Sequence, residues 1–213
     1  NLYMQHMDFG SNPNSTYSYD RKYASLHHLS TNISDRLNVG IFESIVWKSN
    51  RTESVTGFDI QYLNPIIFYR PVEYSLNSSD NALMGVNFKY KTTNLSHLYG
   101  QFVIDEFVIN TLRDNPDHWA NKYGIQLGGK MYDAFKIDNL SLQAEWNFVR
   151  PYTYSHKVSA ENYGHFQQAL AHPLGANFSE YLFFADYKIK KWALHVQLMK
   201  AKYGGGFKSD SIS

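Results

Sequence analysis

The chain contains no cysteine, which removes disulfide frameworks, thiolate metal sites and cysteine nucleophiles together. It has almost no net charge. With 20 Lys and Arg against 19 Asp and Glu, there is no net-charge case for nucleic acid or anionic lipid as partner. No apolar run approaches the roughly 18 residues that a membrane-spanning helix needs; 66–69 and 181–185 are among the longest. A convincing long helical pattern is also missing, as are Gly-rich phosphate loops, a nucleophile elbow and the helical HExxH motif. What the 213 residues have in excess is aromatic rings: 17 Tyr, 14 Phe and 4 Trp, in a chain whose mean hydropathy is only −0.45. The apolar residues are spread singly among Asn, Gln, Gly and Lys instead of gathering in continuous core segments.

Period-two alternation is the dominant pattern, recurring in segments of about ten residues. Met84, Val86, Phe88 and Tyr90 fall on one face of an extended segment, with Gly85, Asn87, Lys89 and Lys91 on the other. Leu98, Gly100, Phe102 and Ile104 likewise oppose Tyr99, Gln101, Val103 and Asp105. Tyr123, Ile125, Leu127 and Met131 oppose Gly124, Gln126, Gly128 and Lys130. Leu140, Leu142, Ala144, Trp146 and Phe148 oppose Ser141, Gln143, Glu145 and Asn147. A last clear segment sets Trp192, Leu194, Val196 and Leu198 against Ala193, His195, Gln197 and Met199. Weaker strands read at 1–8, 22–33, 37–47 and 180–189, about nine in all.

The links between segments alternate short and long. Short ones fall at 34–36, 92–96, 133–139 and 190–191, long ones at 9–21, 48–80, 108–120 and 151–179. Long structureless links count against an ordinary sandwich, whereas short turns at one rim and long loops at the other suit an outer-membrane barrel. The expected fold is therefore all-β: an antiparallel up-and-down transmembrane β-barrel with short periplasmic turns and long extracellular loops. Its polar faces would line a wet lumen and its Val, Leu, Phe and Trp would meet lipid. Trp47, Tyr90, Phe148 and Trp192 would sit at the interfacial girdles. The odd strand count, an opening inside an alternating segment, and a polar tail after Gly204, Gly205 and Gly206 predict a single-domain partial barrel over 1–213, truncated at both ends. A soluble β-sandwich shares the alternation and is the rival fold.

Several segments are more specific. Residues 62–73 (YLNPIIFYRPVE), 78–83 (SSDNAL), 99–107 (YGQFVIDEF), 121–128 (NKYGIQLG), 150–156 (RPYTYSH), 162–165 (NYGH) and 172–178 (HPLGANF) together resemble the outer-membrane β-barrels of gliding bacteria called gliding-motility protein RemB. That group is similar to the Wzi-type capsule-assembly barrels. The resemblance covers most of residues 22–200. It implies a longer exported protein embedded in the outer membrane, non-enzymatic, with a role in gliding motility or in organising capsule or exopolysaccharide. Its partners would be outer-membrane lipid, surface polysaccharide and other outer-membrane, motility or secretion proteins.

Candidate functional residues lie in the loops and on the polar faces. Pro65 and Pro71 hold the residues before them extended, so the 48–80 link reads as a stiff loop. Its Tyr69, Arg70, Glu73 and Tyr74 would form a lumen constriction, a sugar platform or an ion-paired plug. Asp105, Glu106 and Glu145 prompt a glycosidase reading, since hydrolysis needs two carboxylates about 5–10 Å apart across a sugar. Pairing with Arg150, Arg70 or Lys130 in a polar lumen wall is the plainer expectation, and no catalytic residue is assigned. Arg150, Tyr152 and Tyr154 lead into a loop carrying His156, His165 and His172. Rings that stack on C–H faces and amides that bond hydroxyls are what a carbohydrate site uses; loop packing at the barrel mouth is the alternative. The histidines lack compact ligand spacing, and the adjacent His27 and His28 face opposite ways on a strand, so no metal or cofactor is expected. The rival functions are a diffusion channel and a soluble carbohydrate-binding module.

Overall fold

The alternating segments form nine long strands of one antiparallel sheet. A computed structural model describes residues 2–9, 19–48, 64–67, 81–105, 121–156, 161–166 and 168–204. The strands are β1 (Leu2–Phe9), β2 (Tyr19–Asn32), β3 (Leu37–Lys48), β4 (Asn81–Thr93), β5 (Ser96–Ile104), β6 (Tyr123–Met131) and β7 (Leu140–Val149). A two-stranded hairpin, β8 (Gly164–His165) with β9 (Gln168–Ala169), comes next, then β10 (Phe178–Ile189) and β11 (Trp192–Tyr203). Apart from that hairpin, sheet order is chain order, and β1 and β11 are its two edges. The sheet is not closed on itself. Among the described residues, helix amounts to a short 3-10 turn, Ala134–Lys136.

Consecutive antiparallel pairing puts every short link at one end of the sheet and every long link at the other. The short turns are built by local side-chain bonds of the Asx and Ser/Thr kind. Ser34 Oγ accepts from the backbone of Arg36 and Leu37, Thr93 Oγ1 from Leu95, and Asp133 Oδ1 from Asn139. Strand ends differ from the alternation by one to three residues, because β2 and β10 start earlier than their side-chain patterns do.

The register keeps the two faces separate across strands. Leu29, Ile41, Val86, Phe102, Ile125, Phe148, Ser179 and Lys202 form one transverse row, each paired with the next. Leu29 stands three residues from the short-turn end of β2 at Asn32, whereas Lys202 stands ten residues from the short-turn end of β11 at Trp192. The sheet thus staggers by about one residue per strand. That is the proportion found in an eight-stranded barrel of shear eight, whose strands tilt by about 36°.

On strands β4 to β11 the apolar face is bare. Val86, Phe88, Leu98, Leu127, Phe183, Leu194, Val196 and Leu198 are between 37% and 61% exposed. At 1.5–3 kcal/mol for fully burying one such side chain, half-burial of eight leaves about 6–12 kcal/mol unrealised. That is the scale of a whole domain's stability, so this face belongs against something apolar. The buried residues at the loop end of the polar face include Ala24, Val46, Leu83, Val103, Val149 and Phe178, with Lys22, Asn81, Asp105 and Glu180 among them.

Candidate functional site

The 150–177 loop leaves the sheet between β7 and β10 and reaches back across the polar face to the opposite edge. Its main chain is held from the strands. Lys22 Nζ on β2 donates to Asn162 O (2.8 Å), Asn81 Nδ2 on β4 to Glu161 O (3.0 Å), and Lys122 Nζ beside β6 to Ser155 O (2.8 Å). Asp105, just after β5, accepts the Tyr154 N–H (2.5 Å). At the far side His165 Nδ1 accepts the Met7 N–H, and the Phe166 N–H donates to Met7 O. Within the loop, Tyr152, Tyr154 and Phe166 take positive φ, a conformation that costs about 1 kcal/mol or more for a non-glycine residue. The anchors offset that strain.

The loop places Tyr154, Tyr163 and His172 over the polar face. Tyr154 and Tyr163 have ring centroids 6.3 Å apart. Burial, then the Asp105 carboxylate and Tyr163, push the Tyr154 hydroxyl up to about 12, so it is a neutral donor at any physiological pH. His172 stacks on Phe178 at 4.5 Å, and its Nδ1 accepts the Leu174 N–H (3.1 Å). Its Nε2 stands 3.2 Å from Glu180 Oε2. His156 Nδ1 meets Glu161 Oε2 at 2.9 Å inside the loop.

Beneath these rings lie two clefts of about 290 and 230 Å³ that share Gln101, Val103, Tyr154 and Ala171. Their floor is a row of carboxamides on four adjacent strands: Asn87 pairs with Gln101, Gln101 with Gln126, and Gln126 with Asn147. Asn87 is tied to His28 (3.2 Å). Asn147 Nδ2 donates to Glu145 Oε1 (2.9 Å) and Glu180 Oε2 (3.0 Å). Glu145 continues the chain, accepting from Tyr99 OH (2.6 Å), which itself accepts from Gln143 Nε2 (2.8 Å). Gly128 makes this possible, because the Tyr99 ring lies where a Cβ at that position would stand.

The candidates from sequence are distributed unevenly around this site. Tyr154 and His172 line the clefts, and Asp105 positions Tyr154. Arg150 turns away: its Nε donates to Asn121 O and its guanidinium stands 5.8 Å over the Tyr123 ring. Tyr152 is 43% exposed, and His165 sits beside His6 at the β1 edge. Glu145 bonds Tyr99 and Asn147, where a cation had been expected. Asp105 and Glu145 share a face, but Glu145 stands level with Tyr99 through Gly128. At about 3.3 Å per residue, Asp105 is then about 20 Å along the strand from it, too far for a glycosidase pair. Tyr69, Arg70 and Glu73 lie outside the described residues, as does Glu106. Of that loop only 64–67 is described, an Asx turn in which Asn64 Oδ1 accepts from Ile66 N.

Sequence reasoning passed over the carboxamide row, Glu180 and Tyr163. It also passed over a polar pair on the apolar face. His27 Nδ1 and Glu43 Oε1 meet at 2.9 Å, and both side chains are buried; His28, the next residue, faces the clefts. No protein-family model matches the chain, and no curated protein matches it.

Proposed function

We propose that this chain is part of an outer-membrane β-barrel whose mouth is roofed by its own 150–177 loop. Its role at the cell surface is non-enzymatic: organising exported capsule or exopolysaccharide, or serving gliding-motility machinery. The observation that carries the membrane reading is the bare apolar face of β4 to β11, whose side chains alternate with polar ones on the opposite face. Lipid is the partner that such a face fits, and the stagger of about one residue per strand is the tilt that transmembrane barrels use. Two features weigh against the rivals. A soluble sandwich needs a second sheet on this face, and among the described residues the only other sheet is the hairpin of two-residue strands. An open diffusion channel needs a clear lumen, which a loop bonded to β1, β2 and β4 obstructs.

The test is gel mobility of the full-length protein from the outer-membrane fraction. A compact band in cold SDS that shifts on boiling is expected of a folded barrel. Free solubility without any shift would overturn the reading.

A further inference from the structure

We propose that the joined clefts under the 150–177 loop bind a neutral, hydroxyl-rich sugar chain, with the carboxamide row as floor. The proposal deepens the surface role given above and rests on it only for the source of the ligand. Four amides on adjacent strands, spaced about 4.8 Å apart, present alternating donors and acceptors over about 14 Å. The outer two are already engaged, Asn87 by His28 and Asn147 by Glu145 and Glu180. Among the described residues the side-chain amides of the inner two, Gln101 and Gln126, have no hydrogen-bond partner. Each therefore keeps one acceptor oxygen and two N–H donors open toward the cleft.

That equipment selects by chemistry. A sugar hydroxyl both donates and accepts, and a primary amide answers both roles in one plane. A phosphate or carboxylate would instead call for Arg or Lys. Neither cleft is lined by Lys, Arg, Asp or Glu, so an anionic sugar would be desolvated there without a counter-charge. The roof supplies what the floor lacks. Tyr154, Tyr163 and His172 offer ring faces for the C–H faces of pyranose rings. With a combined volume near the low end of small-molecule sites, the clefts take one or two sugar rings of a longer chain.

Calorimetric titration of the full-length protein in detergent micelles tests this, using neutral hexamers of glucose (α-1,4 and β-1,4) and mannose beside acidic hexagalacturonate. At least one neutral hexamer should bind saturably at millimolar concentration or below, and hexagalacturonate should not. Gln101→Ala with Gln126→Ala should weaken that binding about tenfold or more, as expected for two lost hydrogen bonds. Tyr163→Ala, on the roof, should weaken it independently. Three results would overturn the proposal: no neutral hexamer binding, hexagalacturonate binding as well as the neutral hexamers, or full affinity in the double glutamine variant. A water-soluble protein with the glutamine-dependent binding would sink the membrane reading and keep the site. A heat-shifting barrel that binds none of the neutral hexamers would sink the site alone.

Discussion

Two lysines on the bare face separate a membrane barrel from any soluble alternative. Val86 and Phe88 stand mid-way along β4, 48% and 38% exposed. Val86 lies between Ile41 and Phe102, and Phe88 between Val39 and Gly100. If this face meets lipid, each lysine near the midplane costs about 2–4 kcal/mol, so Val86→Lys with Phe88→Lys removes about 4–8 kcal/mol. That rivals the whole stability of a typical domain, and the variant should fail to assemble. In water the same changes replace half-exposed apolar groups with solvated ones, worth about 0.5 kcal/mol apiece in either direction. Asn87→Lys is the control, since Asn87 lies between them in sequence and faces the other way. Its loss of the His28 bond costs about 1 kcal/mol. The assay is the fraction of protein in the outer membrane that migrates as a compact, heat-shifting band. Assembly of the double lysine variant to the level of the Asn87→Lys control would rule out a lipid-facing surface on β4.

Other consequences concern the loop and the buried pair. Asp105→Ala removes a charge-assisted bond to Tyr154 N–H worth about 1.5–3 kcal/mol. Limited proteolysis should then cut the 150–177 loop some tenfold or more faster; an unchanged rate would mean that Asp105 does not hold the loop. Removing one member of the His27–Glu43 pair strands a buried polar partner, so Glu43→Leu or His27→Leu should destabilise by about 3–5 kcal/mol in urea unfolding. The double Leu variant should recover most of that loss, and its failure to do so would deny the coupling. Tyr154 gives a pH dependence of definite sign. Its pKa is raised in the fold from the usual 10 to about 12, so its docking contribution is complete below pH 10 and fades as pH rises through 12. Loop protection measured over that window should fall, and Tyr154→Phe should lose that part of the fall; an identical profile in Tyr154→Phe would assign it elsewhere.

Nine strands were legible in the sequence because the alternation is a local property of each segment. Val86 and Gln101 announce their faces by their immediate neighbours. The short turns were legible for the same reason, since Ser34, Thr93 and Asp133 act within a few residues of themselves. Register across long links is different. That Gln101 and Gln126 stand level depends on how β5 and β6 slide past one another across the link between them, and neither strand encodes that slide. The loop was opaque for a second reason. Lys22, Asn81 and Lys122 hold it by main-chain carbonyls, which leave no trace in side-chain type. His27 and Glu43 broke the apolar pattern openly, and two polar residues at matching parity on neighbouring weak strands were the available signal for their pairing.

The most direct test of the central claim, that the bare face meets lipid, uses the absence of cysteine. Single cysteines at Met84, Val86, Phe88 and Tyr90, and at Asn87, Lys89 and Lys91, each carry a fluorophore, with no other cysteine to label within these 213 residues. In proteoliposomes the account predicts quenching of the first set by brominated lipid and of the second by a water-soluble quencher, alternating along β4. Uniform quenching of both sets by the water-soluble reagent, with none from lipid, would contradict it.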